Sequence, residues 1–304
     1  MSTTIHDEIL RTLGFAPQQI KQHGLTRFAT SSRPSNRDGW VRVMQDGIVQ
    51  FGCWRQGITG RWRNGAGNHQ LNKRDEHADK LALAEQQKQN QRNGRINAQI
   101  FDCAHPLHRQ SPVGKYLVHR GLCALKKRPL ALRMATLPYF EDDIEQGQYP
   151  VMLGAVTSPL GALVGLHRTY ISNMGRKAPV PCPKKLSRTS GLLAGASIKL
   201  FEPTIINGKL TLGVAEGIET ALACYLASGI PTWSCVSASG IKSFEWPAGL
   251  QSLVIFGDND ASGAGQSAAR DLAGRAAAAG LECRVLIPKT IGNDWLDDYV
   301  GGTA

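Results

Sequence analysis

Three groups of carboxylates mark the last third of this 304-residue chain. Glu216 closes the apolar run LTLGVA, Asp258 and Asp260 close SLVIFG, and Asp294, Asp297 and Asp298 follow CRVLIP in the stretch GNDWLDDY. Side chains two apart on extended backbone point the same way, so Asp258 and Asp260 can address one cation or two adjacent ones. Hard oxygen donors with room for water suit Mg2+ or Mn2+, which proteins hold through one or two carboxylates together with substrate phosphates. Such ions serve phosphoryl transfer by activating a hydroxyl and steadying the leaving group. Alone, an Asp-x-Asp pair is more often a turn or a helix cap. It gains weight from Glu216-Gly217, 42 residues before Asp258, and from the glycine-rich helix opening SGAGQSAA.

The elements that must position these acids are legible as an alternation. From residue 210 the chain reads strand LTLGVA, helix IETALACYLASG, strand TWSCVSA, a short helix near IKSFEW, strand SLVIFG, helix GAGQSAARDLAGRAAAAG and strand CRVLIP. Strands alternating with helices predict an α/β fold with a parallel sheet covered on both faces. In such sheets the functional crevice lies beyond the C-terminal ends of the strands, where Glu216, Asp258 and Asp260 fall. Glu219, one helical turn after Glu216, reads either as a partner in the site or as a solvated helix residue.

Charge divides the chain. Lys and Arg outnumber Asp and Glu 22 to 9 over residues 1–139 and 8 to 5 over 140–209, but are outnumbered 5 to 10 over 210–304. A basic excess of this size suits a polyanion, because neutralising phosphates releases counterions; solubility without a partner is the plainer account. With 42% hydrophobic and 19% charged residues the composition is that of a globular protein. The absence of a long apolar run or a basic-then-apolar leader predicts no membrane association and a cytoplasmic location. Seven cysteines without a CxxC pair predict reduced thiols.

Four segments follow. Residues 1–75 contain a helical lead over 1–27 with Ile9, Leu10 and Leu13, then a small β unit over 37–63 turned at Asp46-Gly47. In that unit Trp40, Phe51, Trp54 and Trp62 can stack on bases while Arg42, Arg55, Arg61 and Arg63 meet the phosphates, although the tryptophans serve equally well as a β core. Residues 76–98 read as a polar helical linker, 99–207 as a basic mixed α+β subdomain, and 208–304 as the alternating α/β unit.

Glu216-Gly217, GDNDASGAGQSAA and GNDWLDDY, in that order, resemble the motifs of the Toprim fold found in bacterial primases, topoisomerases and related nucleases. Upstream, VGKYLVHRGL, PVMLGAVTSPLGALVGLHRTYI and APVPCPKKLSRTSG resemble the catalytic core of bacterial, phage and plasmid DNA primases, placing Arg120, Arg168, Lys184 and Lys185 on positions that meet template or nucleotide phosphates. The resemblance implies that Glu216 acts as metal ligand or general acid/base, that Asp258 and Asp260 hold Mg2+ or Mn2+, and that Asp294 joins them as the acid of a looser third motif. It further implies short RNA primers made from nucleoside triphosphates on single-stranded DNA. Primases of this kind carry a zinc ribbon; Cys53, His69 and Cys103 do not form one, so no zinc site is expected. No GxxxxGK[ST] loop occurs, so unwinding is expected from a separate replicative helicase. The same carboxylates also suit a Toprim nuclease, or a DNA-binding accessory protein of a mobile element that no longer turns over.

Overall fold

The computed structural model describes residues 4–22, 24–31, 37–44, 47–54, 56, 58–63, 76–126 and 128–302. The chain divides into two units, Met1–Glu76 with Phe140–Ile144, and His77–Tyr139 with Glu145–Ala304.

In the first unit, α1 (Ile5–Leu13) begins at a reciprocal cap. The Thr4 side chain accepts from the Asp7 N–H while the Asp7 carboxylate accepts from the Thr4 N–H, satisfying two donors that a helix start leaves free. Four antiparallel strands follow in sequential order: β1 (Leu25–Phe28), β2 (Gly39–Val43), β3 (Val49–Cys53) and β4 (Ile58–Trp62). Period-two alternation sends Phe28, Val41, Val49, Phe51 and Cys53 inward to meet Ile9 and Leu13. Strand β1 begins inside the stretch expected as a helical lead. Its Leu-Thr-Arg-Phe alternation is too short to outweigh helical periodicity in the sequence, yet it completes a four-strand sheet.

The second unit opens with α2 (Glu76–Asp102), 27 residues and so about 40 Å long. Although long, it is polar, and among the described residues no helix is long and apolar enough to cross a membrane. Its C-terminal turns are fastened: the Asn93 and Asn97 amides donate to the Thr189 and Arg188 carbonyls, each at 2.9 Å. Then come β5 (His105–Pro106), α3 (Pro112–His119), β6 (Leu132–Glu141), β7 (Ile144–Thr157), β8 (Leu163–Tyr170) and β9 (Lys184–Leu186), whose strands form one sheet in that order. On β7, Val151 and Leu153 pack with Tyr139, Tyr170 and the end of α2, while Met152 and Val156 face the opposite core.

The acidic region builds β10 (Thr204–Ile206), β11 (Lys209–Ala215), α4 (Ile218–Ser228), β12 (Thr232–Ser234), α5 (Ala238–Ser243), β13 (Ser252–Phe256), α6 (Ala264–Ala278), β14 (Glu282–Leu286) and α7 (Trp295–Gly302). Strands β12, β11, β13 and β14 run parallel, and β10 returns antiparallel along β11. Leu253 and Ile255 of β13 face α5 and α6, whereas Val254 and Phe256 face α4 and α7. This two-sided burial explains why SLVIF reads as an unbroken apolar run. The α/β architecture is as the alternation predicts. Residue bridges Thr157 to Ser197 and Ile198 to Ser234 link the antiparallel sheet to the edge of the parallel one.

Candidate active site

Glu216 leaves β11 and precedes Gly217, the residue before α4. Its main chain is pinned where the Ser234 hydroxyl donates to its carbonyl at 2.8 Å. Burial raises its carboxyl above the ordinary value, reinforced by the charges of Asp260 and Asp294 and opposed by Lys184 and the Ala238 N–H. Asp258 follows β13 and Gly257. Burial, then repulsion from Glu216, Asp294, Asp260 and Asp297, pushes its carboxyl up to about 7. Its Oδ1 is buried without a hydrogen-bond partner.

Asp260 has a different environment. Burial would raise it, but the Ser262 hydroxyl and the N–H groups of Gly265 (2.8 Å) and Ala264 (3.3 Å) donate to its carboxylate and hold it below the ordinary range. It thus remains an anion at the start of α6, where the helix dipole favours negative charge. The loop is tied on its other side, as the Asn259 amide donates to the Pro288 carbonyl and the Asn259 N–H to that of Asn293. Gly265 permits the close approach: a Cβ there would stand 2.8 Å from the Asp258 carbonyl oxygen and 3.0 Å from Asp260 Oδ2. Gly265→Ala is therefore expected to displace the Asp258–Asp260 loop and to lower stability by about 1–3 kcal/mol, read as a shift in the urea midpoint.

Asp294 caps α7, accepting from the Leu296 and Asp297 N–H groups through Oδ1, while Thr220 of α4 donates to its Oδ2 at 3.3 Å. Asp297 returns a bond to the Asp294 N–H. Both acids therefore keep a helix-capping part alongside their charge on Asp258.

Do these residues fit a divalent ion? Among the described residues no three His, Cys, Asp or Glu side chains converge as a finished cage. Glu216 and Asp258 supply what Mg2+ or Mn2+ ordinarily takes, one or two carboxylates with the remainder from water and phosphate. The unpartnered Asp258 oxygen and the mutual repulsion of the cluster are the features a cation would relieve, so the fit holds for those two residues, with Asp260 and Asp294 adding field.

Glu219, ambiguous in sequence, is 3% exposed. Tyr116 of α3 donates to its Oε1 at 2.7 Å and Lys184 of β9 to its Oε2 at 3.0 Å. Burial works to raise its carboxyl, but Lys184 and the Tyr116 hydroxyl outweigh burial and hold it near about 2. His167 of β8 lies beside this pair; burial lowers it to about 4 and its Nδ1 has no hydrogen-bond partner. The signal that could have found Glu219 is α4 itself: IETALACYLAS is apolar on nearly every side, and a carboxylate in a fully buried helix needs a partner.

The basic candidates separate. Lys184 is 40% exposed and engaged by Glu219, while acting electrostatically on Glu216. Lys185 lies 3.9 Å from the Tyr139 ring centroid. Arg120 ends α3, and its Nε, like that of Arg168, is buried without a partner. Arg55 and His69 lie outside the described residues. Arg61 is exposed on β4, but Trp62 shares the inward parity of Val43 and Val49 and packs against the first unit's core. Its position corrects the reading of Trp62 as a base-stacking residue, because an odd-even step on a strand reverses the face.

Residues 211–303 match the Toprim domain family, and residues 91–199 match a domain of unknown function, DUF7146. No curated protein matches the chain. Among solved structures, the chain is similar to a DNA primase domain from Pseudomonas aeruginosa at 14% identity and TM-score 0.36, covering 53% of this chain and 50% of that one. It thus spans about half the length of that relative. It is also similar to the DnaG catalytic core (16% identity, TM-score 0.44, 70% of this chain and 75% of that one). A third similarity is to the zinc-binding and RNA polymerase domains of the Aquifex aeolicus primase (15% identity, TM-score 0.41, 97% and 82%).

Proposed function

We propose that this protein, whose residues 211–303 match the Toprim domain family, is a primase-like nucleotidyltransferase making short RNA primers on single-stranded DNA. The observation that supports it most is the buried, unpartnered oxygen of Asp258 facing the charge of Glu216, Asp260 and Asp294. A bound Mg2+ or Mn2+ would activate the attacking 3′-hydroxyl and stabilise departing pyrophosphate. Glu216 and Asp258 would hold it. If Asp258 alone held the ion, Glu216 would instead be placed to receive the proton of the attacking hydroxyl. Asp260, fixed by the N–H groups of α6, keeps the loop in place and maintains negative charge. Lys184, held by Glu219, would meet the phosphates of an incoming nucleoside triphosphate, and Arg120, Arg168 and Lys185 would add positive charge toward the template. A separate helicase would supply single-stranded template.

The test is direct. Purified protein with a single-stranded template, ribonucleoside triphosphates and Mg2+ is expected to yield short oligoribonucleotides, with none when Mg2+ is chelated. Template cleavage without synthesis would replace this reading with a nuclease, and binding without either reaction would replace it with an accessory DNA-binding role.

A further inference from the structure

The outward face of the four-stranded sheet in the first unit has a composition that the carboxylate site does not explain. Antiparallel register places two rows of side chains on this face. One row is Leu25, Arg42, Gln50 and Arg61; the other is Arg27, Trp40, Gly52 and Thr59. Residues directly opposite in an antiparallel pair project to the same side, so each row presents one continuous edge. Arg27, Arg42, Arg61 and Thr59 are exposed, and neither row contains an acid.

The aromatic part is arranged for contact. Trp40 and Trp54 stack with ring centroids 5.9 Å apart and planes 29° from parallel, and Trp54 is 46% exposed. The Arg27 guanidinium lies 4.9 Å from the Trp54 centroid while donating to the Arg37 carbonyl at 2.8 Å, which fixes it beside the rings. Gly52 leaves room for both the β4 backbone and the Trp40 indole, since a Cβ there would run into the Ile58 carbonyl oxygen and stand 3.0 Å from that ring. An indole used only to fill a core would point toward Phe51 and Val41. These two tryptophans instead occupy the opposite face from that core.

We infer that this face binds single-stranded nucleic acid, with bases stacking on Trp54 and Trp40 and phosphates meeting Arg27, Arg42 and Arg61. The occupant follows from complementarity: alternate π-faces and anionic groups at nucleotide spacing are what a row of cations beside stacked indoles can recognise. An acidic protein would use the arginines but has little need of the rings. The inference deepens the priming proposal by naming a template surface, and its test omits nucleotides so that the two stand or fall separately.

The experiment measures the affinity of the full chain for a fluorescent oligodeoxythymidylate across a salt series. Trp54→Ala is expected to weaken binding by about 5- to 100-fold, as loss of one stacked base contact does. Arg42→Ala with Arg61→Ala is expected to reduce the salt slope by about 1.4, two phosphates at about 0.7 each. Trp54→Phe, which retains a ring, should recover most of the affinity, separating stacking from a folding defect. Unchanged affinity and slope in both variants would overturn the inference, as would equal losses against a polyglutamate competitor that offers charge without bases.

Discussion

Asp258→Asn is expected to do two opposite things: raise the thermal midpoint of the protein in chelator by about 2–6 °C, and lower Mg2+-dependent primer synthesis by at least about 100-fold. The first effect follows from repulsion. Asp258 is surrounded by Glu216, Asp294, Asp260 and Asp297, and its proton affinity has risen to about 7 because the folded protein disfavours its charge. Folding therefore loses stability as pH rises from the ordinary carboxylate value of 3.8 toward 7, and an uncharged amide removes that penalty at neutral pH. Water on the exposed side of the site screens part of the repulsion, so about 1–2 kcal/mol is the expected gain. The second effect follows because the amide cannot replace an anionic ligand for a divalent ion. A thermal scan with and without Mg2+ checks both: Mg2+ should raise the midpoint of the wild type but leave the variant unchanged. An Asp258→Asn protein less stable than wild type in chelator would show that the cluster is not strained by charge.

Glu219→Ala is expected to destabilise the second unit by about 2–4 kcal/mol. Removing the carboxylate strands the Tyr116 hydroxyl, which is 2% exposed, and frees Lys184. Losing one member of a buried pair usually costs about 3–5 kcal/mol. Lys184 can return partly to water, which places the expected figure lower. Because folded Glu219 releases its proton at about 2, against an ordinary value of 4.5, its stabilising share is full above pH 4.5 and fades as pH falls toward 2. Glu219→Gln should accordingly differ most from wild type at pH 6–8 and approach it in acid. A urea-melting series from pH 3 to 8 reads the convergence; a pH-independent difference would mean that packing, rather than ionisation, carries the effect.

Asp258 and Glu219 differ in how far the sequence reveals them. Asp258 was legible because a strand buried on both faces is an unbroken apolar run, and its C-terminal end is the edge of a parallel sheet. The burial of Glu219 is signalled by the apolar helix around it, but its partners are not, because they lie 35 and 103 residues away in sequence. The capping bonds of Asp260 are local, and the tendency of Asp to start helices made them available as an alternative reading of the Asp-x-Asp pair; those of Asp294 are equally local but were not read. Trp62 illustrates a different limit. Composition placed it among aromatic and basic residues, but only the register opposite Val49 decides its face.

One feature of the second unit constrains how this protein could be divided or rearranged. A single apolar cluster runs from Leu107 and Tyr116 through Met152 and Ile198 to Val254 and Leu296, so the antiparallel sheet and the parallel one share an interior. The strap at 197 and 198 bridges to β7 on one side and β12 on the other. A fragment lacking the antiparallel sheet and this strap would leave the α4 and α7 face uncovered and the edge beside Ser234 open. Separating the two parts therefore carries a solubility cost: each would present to water an apolar face that the other covers in the whole chain.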